Sequence, residues 1–363
     1  MPNREQILKI RDLSVSFTTA NGIVKAVRGF NMDVYKGETV AIVGESGSGK
    51  SVTVKEIMGI HAPNEIIGGG SIEFTYSGDT GGKKTVDLLK MNPREIQNTL
   101  KGKHIAMVFQ DPMTSLDPTM NIGRQLAEGM VQHLRLRRAE AKKRAAELLR
   151  IVGIKDPEKR MKNYPHQLSG GMRQRVVIAM AISCEPDLLI CDEPTTALDV
   201  TIQARILQLI MDLQARYNIS VIFITHNLGV VAKVADYVNV MYAGKIVETG
   251  KTDDIFFDPR HPYTWGLLSS VPDLSGDRAE RLYTIRGNPP NLLNEINGDA
   301  FAPRNPFSLE IDFEEEPPMF TVNSHHQAAT WLLDPRSPAV EVPPQIKRRI
   351  EDLKKECAQD AGR

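Results

Sequence analysis

The stretch that most narrows the fold is TVAIVGESGSGKSVTVKEIM, residues 39–58. An apolar run leads into a loop with glycines at Gly44, Gly47 and Gly49, then into Lys50, Ser51 and a segment whose Val54, Ile57 and Met58 keep helical spacing. Such a run requires a buried strand that passes through a loop of small residues directly into a helix. Gly44, Gly49, Lys50 and Ser51 satisfy G-x-x-x-x-G-K-[ST], the pattern of a phosphate-cradling loop. Small residues leave successive backbone N–H groups unobstructed, and the helix N-terminus adds its partial positive charge. Lys50 is then placed to neutralise β- and γ-phosphate oxygens, and Ser51 to ligate magnesium.

A magnesium–phosphate site also needs a carboxylate from a neighbouring strand. LLICDE supplies Asp192 at the end of an apolar run and Glu193 directly after it. Asp192 is expected to hold magnesium through its water shell, and Glu193 to polarise the attacking water. Alone, such a run is as often a solvated strand end; the phosphate loop gives it meaning. HIAMVFQ and SVIFITH read as two further core strands, ending on Gln110 and His226. Buried strands alternating with helices such as IQARILQLIMDLQARY imply a parallel sheet, whose carboxyl edge binds ligands. Gln110 and His226 are therefore expected beside the phosphates, although a lone glutamine or histidine is more often structural.

LKIRDLSVSF and VRGFNMDVY alternate like antiparallel strands about the turn ANG, and the glycine-rich NEIIGGGSIEFTYSGDTGGKKTV reads as a variable hairpin excursion. From Asn121 to about Ile154 the pattern is helical, with Glu140 placed to pair with Arg144. Its basic run LRLRRAEAKKRAAELLR is a solvated helix face or, on the sharper reading, a phosphate or RNA contact, for which no aromatics interleave. VNVMYAGKIVETG reads as a hairpin turning on Ala243 and Gly244. Beyond about Asp254 prolines break the chain into short pieces, an accessory region, before a charged terminal helix with Ile346, Ile350, Leu353 and Cys357 on one side.

The 45 basic and 45 acidic side chains cancel, so no global field draws the protein to nucleic acid or anionic lipid. Three scattered cysteines, Cys184, Cys191 and Cys357, argue for a reducing compartment. The charged start carries no signal-type apolar region, and the longest apolar run, VVIAMAI, falls far short of the roughly 18 residues of a membrane span.

A second glycine segment, QLSGGMRQRVVIAMAIS, has Ser169 as a natural N-cap before helical spacing. Its pattern leaves open a second phosphate contact or an ordinary cap whose glycines permit close packing. In motif order, Leu8 to about Gly250 resembles the ATP-binding cassette (ABC) ATPases. Gly44–Ser51 is similar to the Walker A loop, Gln110 to the Q-loop, LSGGM to the signature, Leu188–Asp192 to Walker B, Glu193 to the catalytic carboxylate, ALD at Ala197–Asp199 to the D-loop and His226 to the switch histidine.

The resemblance implies an α/β P-loop NTPase fold: a RecA-like parallel-sheet core, an antiparallel β subdomain and a helical subdomain, with a small C-terminal extension. It implies ATP and Mg2+ as cofactors, held by Gly44, Glu45, Ser46, Gly47, Ser48, Gly49, Lys50, Ser51 and Val52. Phe17 is placed to stack on adenine, or else is a core strand residue. Ser51, Gln110 and Asp192 would serve the metal, and Glu193, His226 and Gln110 catalysis. Two such cassettes meet head to tail, so Ser169, Gly170 and Gly171 would serve the nucleotide held by the partner. Met172 stands where the signature usually has glutamine, a departure that recurs among peptide importers.

DPMTSLDPTMNIGRQL, DEPTTALDVTIQARIL, DPRHPYTWGLLSSVP, GNPPNLL and FAPRNPF extend the resemblance to the oligopeptide, dipeptide and nickel importer ATPases, closest to the D-type subunit. The implied divisions are a nucleotide-binding domain over 1–255, with its helical subdomain near 112–168, an extension over 256–335 and a tail over 336–363. The implied partners are a paralogous F-type ATPase in a heterodimer, two integral membrane permeases and an extracytoplasmic peptide-binding protein, without nucleic acid. The implied location is the cytoplasmic face of the membrane. Many relatives carry four cysteines in the extension that can hold an iron–sulfur cluster; Asp299, Asn305, Asp312 and Thr330 stand at those positions here, so no cluster is expected. A soluble cassette acting on DNA or ribosomes is disfavoured because neither a heptad array nor a second phosphate-loop motif occurs, and a non-hydrolysing cassette because Glu193 and His226 are both present.

Overall fold

A computed structural model describes residues 4–78, 81–196, 198–270 and 285–361, with the side chains of 356–361 excepted. Strands β1 (Gln6–Thr19) and β2 (Gly22–Tyr35) form the expected antiparallel pair. The glycine-rich segment forms the expected hairpin and is also built into this sheet. It supplies β4 (Glu65–Ser77), which pairs along β1, and β5 (Lys83–Asp87), giving the sheet order β2-β1-β4-β5. Ile72 and Phe74 of β4 are fully buried. The glycines mark an irregularity in the β1–β4 ladder between Arg11 and Ser14, where Gly70 takes φ +102° and a Cβ would lie 2.6 Å from the Arg11 carbonyl oxygen.

A second sheet of eight strands has the order β11-β12-β10-β9-β3-β8-β7-β6. Five run parallel: β3 (Thr39–Val43), β6 (Ile105–Val108), β7 (Leu188–Asp192), β8 (Ser220–Thr225) and β9 (Tyr237–Tyr242). Every residue of β3, β6, β7 and β8 is buried, which is why these segments read as unbroken apolar runs. The β9–β10 hairpin (β10, Lys245–Lys251) turns on Ala243 and Gly244, both with positive φ. Helices α1 (Lys50–Ile57) and α2 (Pro93–Thr99) lie on the side of the antiparallel sheet, sharing its core through Val54, Ile57 and Ile96.

The helical region comprises α3 (Pro112–Ser115), α4 (Ile122–His133), α5 (Arg138–Ile151), α6 (Pro157–Arg160) and α7 (Gly170–Ala181). The expected continuous run is broken between α4 and α5, where Arg135 takes φ +54°. Arg144 reaches Glu185 Oε1 at 2.5 Å rather than the expected Glu140. These helices and α8 (Val200–Tyr217) enclose a core that includes Leu126, Leu149, Ile178 and Ile206.

The C-terminal segments are built onto the eight-stranded sheet. After α9 (Leu228–Val234) and α10 (Thr252–Phe257), helix α11 (Pro262–Ser269) is buried along its whole length. Tyr263, Leu268 and Phe301 share one core with Ala41, Val43 and Tyr242 of the parallel strands. The short strands β11 (Phe320–Thr321) and β12 (Gln327–Ala328) extend the sheet through β10. Glu248 of β10 is fully buried; it accepts from the Arg260 and His261 amides at 2.6 and 3.0 Å and lies 2.7 Å from His326 Nε2. Helix α12 (Pro344–Ala361) buries Ile346 and Leu353, two of the four residues expected on its apolar side; the Cys357 side chain lies outside the described residues. Among the described residues no helix is long and apolar enough to cross a membrane.

Because this core is shared, damage to it should be felt by the whole cassette. Phe301→Ala, which removes a ring packed on Tyr242, His261 and Tyr263, should destabilise the chain by about 3–5 kcal/mol. In urea unfolding, nucleotide binding and intrinsic fluorescence should be lost together at the lower midpoint. Loss of the extension's structure alone, with nucleotide binding unmoved, would show the two regions to be independent.

Candidate nucleotide site

Strand β3 delivers the loop Gly44–Gly49 to the N-terminus of α1. Gly47 takes φ +82° with open space around it, so backbone conformation alone calls for glycine there. At Gly49 space adds to conformation: φ is +101° and a Cβ would sit 2.4 Å from the Ala26 carbonyl oxygen. Lys50 is 5% exposed and donates to the Gly44 and Glu45 carbonyl oxygens, both at 2.8 Å, and to Ser48 Oγ at 3.4 Å. Burial draws its pKa below the ordinary lysine value, opposed by the charges of Glu193, Asp192 and Glu45. The ammonium is thus folded back onto its own loop, and a phosphate oxygen is a better acceptor than the carbonyls it now uses.

Ser51 Oγ donates to Asp192 Oδ1 at 3.1 Å, joining the first turn of α1 to the end of β7. Burial raises the Asp192 pKa despite that hydrogen bond, and Glu193 raises it further. A hydroxyl and a carboxylate on a hard-oxygen site suit Mg2+, whose charge would relieve the buried carboxylate.

Glu193 is the hub. It takes φ +47°, a strained conformation for a side chain with a Cβ, and its amide donates to the Ile224 carbonyl of β8 at 3.0 Å. Gln110 Nε2 and Thr196 Oγ1 donate to Glu193 Oε2 at 3.1 and 2.9 Å, and His226 Nδ1 lies 3.1 Å from Oε1. Gln110, Glu193 and His226 follow β6, β7 and β8, whose parallel register brings their ends to one edge.

Ser169, Gly170 and Gly171 are not drawn into this cluster. Ser169 is exposed, and its hydroxyl accepts from the Met172 amide at 3.4 Å as the N-cap of α7. A Cβ at Gly170 would meet nothing within 4 Å, leaving this helix start open to solvent. Phe17 stands in β1 with its ring half-buried against the antiparallel-sheet core, as does Val52 in α1; Ser46 is exposed. Ala197 of the ALD segment lies outside the described residues, whereas Asp199 caps α8 through the Ile202 amide at 2.9 Å.

A strap that sequence reasoning missed crosses the phosphate loop. Glu45 N–H donates to the Tyr263 hydroxyl at 2.8 Å, and the Glu45 carboxylate takes two parallel hydrogen bonds from Arg304 at 2.9 and 3.1 Å. Arg304 is 7% exposed at its side chain, also reaches the Tyr242 hydroxyl at 3.2 Å and lies over that ring. Arg304 and Glu45 are 259 positions apart, so no local pattern could join them; the only signal was an arginine within FAPRNPF. At the four extension positions compared with cluster cysteines, Asp299, Asn305, Asp312 and Thr330 are buried, and each accepts from a backbone amide two residues ahead or three behind.

The ABC transporter family pattern matches residues 27–196, and that of the oligopeptide/dipeptide transporter C-terminal region matches 247–311. The chain is similar to the oligopeptide transport ATP-binding protein OppD of Bacillus subtilis, 55% identical over 96% of this chain and 95% of that one. The chain belongs to the ABC transporter ATPase family. It is also 53% identical to the dipeptide transport ATP-binding protein DppD of Lactococcus lactis, over 96% of this chain and 98% of that one. Among solved structures it is similar to the ATP-binding cassette MJ0796, a dimer in a post-hydrolysis state bound to ADP and Pi, with TM-score 0.58 and 25% identity over 68% of this chain and 98% of that one.

The strap makes a prediction specific to this ABC ATPase. Arg304→Ala should weaken ATP binding by roughly tenfold, the order expected for a bidentate charged contact, in a chain that stays folded. Arg304→Lys should restore only part, because an ammonium cannot make both parallel bonds. Fluorescent-nucleotide titration checks this; unchanged affinity in both variants would remove the strap from the binding account.

Proposed function

We propose that this ABC ATPase powers the uptake of oligopeptides by hydrolysing ATP beneath two integral membrane permeases, which an extracytoplasmic peptide-binding protein supplies. The observation that carries the chemistry is the convergence of Gln110, Thr196 and His226 on Glu193 beside the phosphate loop. The peptide substrate is supported by the OppD-type and DppD-type relatives and by the matched C-terminal region.

In this reading Lys50 exchanges its loop carbonyls for β- and γ-phosphate oxygens. Ser51, Asp192 and Gln110 would hold Mg2+, which when bound supplies positive charge against the phosphates. Glu193 orients and polarises the water in line with the γ-phosphorus, and His226, across the carboxylate, steadies the charge that develops there. Phe17 offers its half-exposed face to the adenine.

The exposed α7 terminus supports a head-to-tail dimer in which Ser169, Gly170 and Gly171 complete the nucleotide site of a second, F-type ATPase, while that subunit's own signature completes this one. Phe109 and Met113, 40% and 59% exposed on either side of Gln110, support this face as the contact that passes closure to the permeases at the cytoplasmic surface.

Two outcomes test the division of labour in the reconstituted importer. Glu193→Gln should lower hydrolysis at this chain's Walker site by at least ~100-fold while leaving ATP bound and the dimer closed; undiminished turnover at that site contradicts the role of Glu193. Ser169→Ala should impair turnover at the partner's Walker site, and a loss confined to this chain's own site would reverse the assignment.

A further inference from the structure

Five residues beyond Ser51, at the other end of α1, lies a cluster that the nucleotide chemistry does not use. Glu56 is 1% exposed, and neither of its carboxylate oxygens has a hydrogen-bond partner. His61 Nδ1 lies 3.2 Å from Glu56 Oε2 and 3.1 Å from Glu65 Oε1, with hydrogen-bond geometry met only toward Glu65. The second Glu65 oxygen accepts from the Ala62 amide at 2.8 Å, which fixes the carboxylate's orientation. One ligand atom from each of the three side chains lies within 4.8 Å of the other two, the one such grouping among the described residues.

A pair of carboxylates this close needs positive charge between them. A proton is one source: burial first, and then Glu65, raises the Glu56 pKa to about 9, whereas burial of Glu65 is outweighed by a proton carried on Glu56, by the Ala62 amide and by His61, which hold it low. A proton shared between the two carboxylates, however, engages only one Glu56 oxygen.

We propose that Glu56, His61 and Glu65 form a binding site for a divalent transition-metal cation, best matched by Zn2+. One imidazole nitrogen with two carboxylates and an open side is a three-ligand zinc set, with water in the fourth position. Imidazole disfavours Mg2+ and Ca2+, which prefer all-oxygen shells. His61, 29% exposed at its side chain, supplies the entry path. The carbonyl-rich C-terminal end of α1 favours a cation there as well. The site would tie the end of the helix that begins at Lys50 to Glu65, the cross-strand neighbour of Phe17, so a bound ion would brace two nucleotide-binding elements against each other.

The test uses the full chain, free of tag and nucleotide and stripped with chelator, titrated with Zn2+ against a chromophoric competitor. Wild type should bind about one tight equivalent, with affinity falling at least ~10-fold in His61→Ala and in Glu56→Gln. Zn2+ should raise the melting temperature of wild type but not of either variant, and excess Mg2+ should not displace it. His61 is partly exposed in a loop, so His61→Ala decides the matter should Glu56→Gln fail to fold. Equal Zn2+ affinity in wild type and His61→Ala, or displacement by Mg2+, overturns the proposal; the first result leaves the carboxylate pair sharing a proton.

Discussion

The parallel ladder of β6, β7, β8 and β3 is the constraint on which the rest depends. Val43 is level with Thr225, and Asp192 with Ile224, so the strands end together and release their next residues at one edge. That register sets Ser51 against Asp192 and gathers Gln110 and His226 around Glu193. The arrangement is electrostatically expensive. Burial raises Asp192 and lowers Lys50, and Glu193 is held in a strained backbone conformation. These are the costs expected of a site preorganised for a triphosphate and its metal, whose charges would offset them.

A second consequence of the sheet is that its β9–β10 side forms a floor for the C-terminal segments. Tyr263 and Arg304 reach from there to Glu45 in the phosphate loop. The loop is therefore held from two directions, by β3 and α1 within the cassette and by the extension across it. The matched C-terminal region spans residues 247–311, and the aromatic cluster and arginine within it connect it physically to the phosphate loop.

The residues that meet at the sheet edge were legible because each follows an apolar run: Gly44 after β3, Gln110 just past β6, Glu193 after β7 and His226 after β8. Strand burial writes a strong signal, and position at its end does the rest. What stayed hidden had no local signal. The Arg304–Glu45 bridge spans most of the chain, and β12 pairs through only two residues. The hairpin over the glycine-rich segment was legible, but not its pairing along β1, because the irregularity at Gly68–Gly70 selects the same residue type as a turn. Glu56, next to Lys55, reads as helix surface, and only the packing of α1 under the antiparallel sheet shows it to be buried. Ser169 is the converse case, since its pattern admitted either a cap or a phosphate contact and the single chain displays the cap, exposed.

In the proposed dimer one chain holds only part of each nucleotide site, and a second cassette supplies the remainder. The most direct measurement is a structure of the assembled importer, with Glu193→Gln in place and Mg-ATP bound. The proposed dimer requires Ser169 Oγ and the neighbouring amides within about 3 Å of γ-phosphate oxygens held by the partner's Walker loop. A closed, nucleotide-bound assembly with Ser169 far from every triphosphate would contradict it.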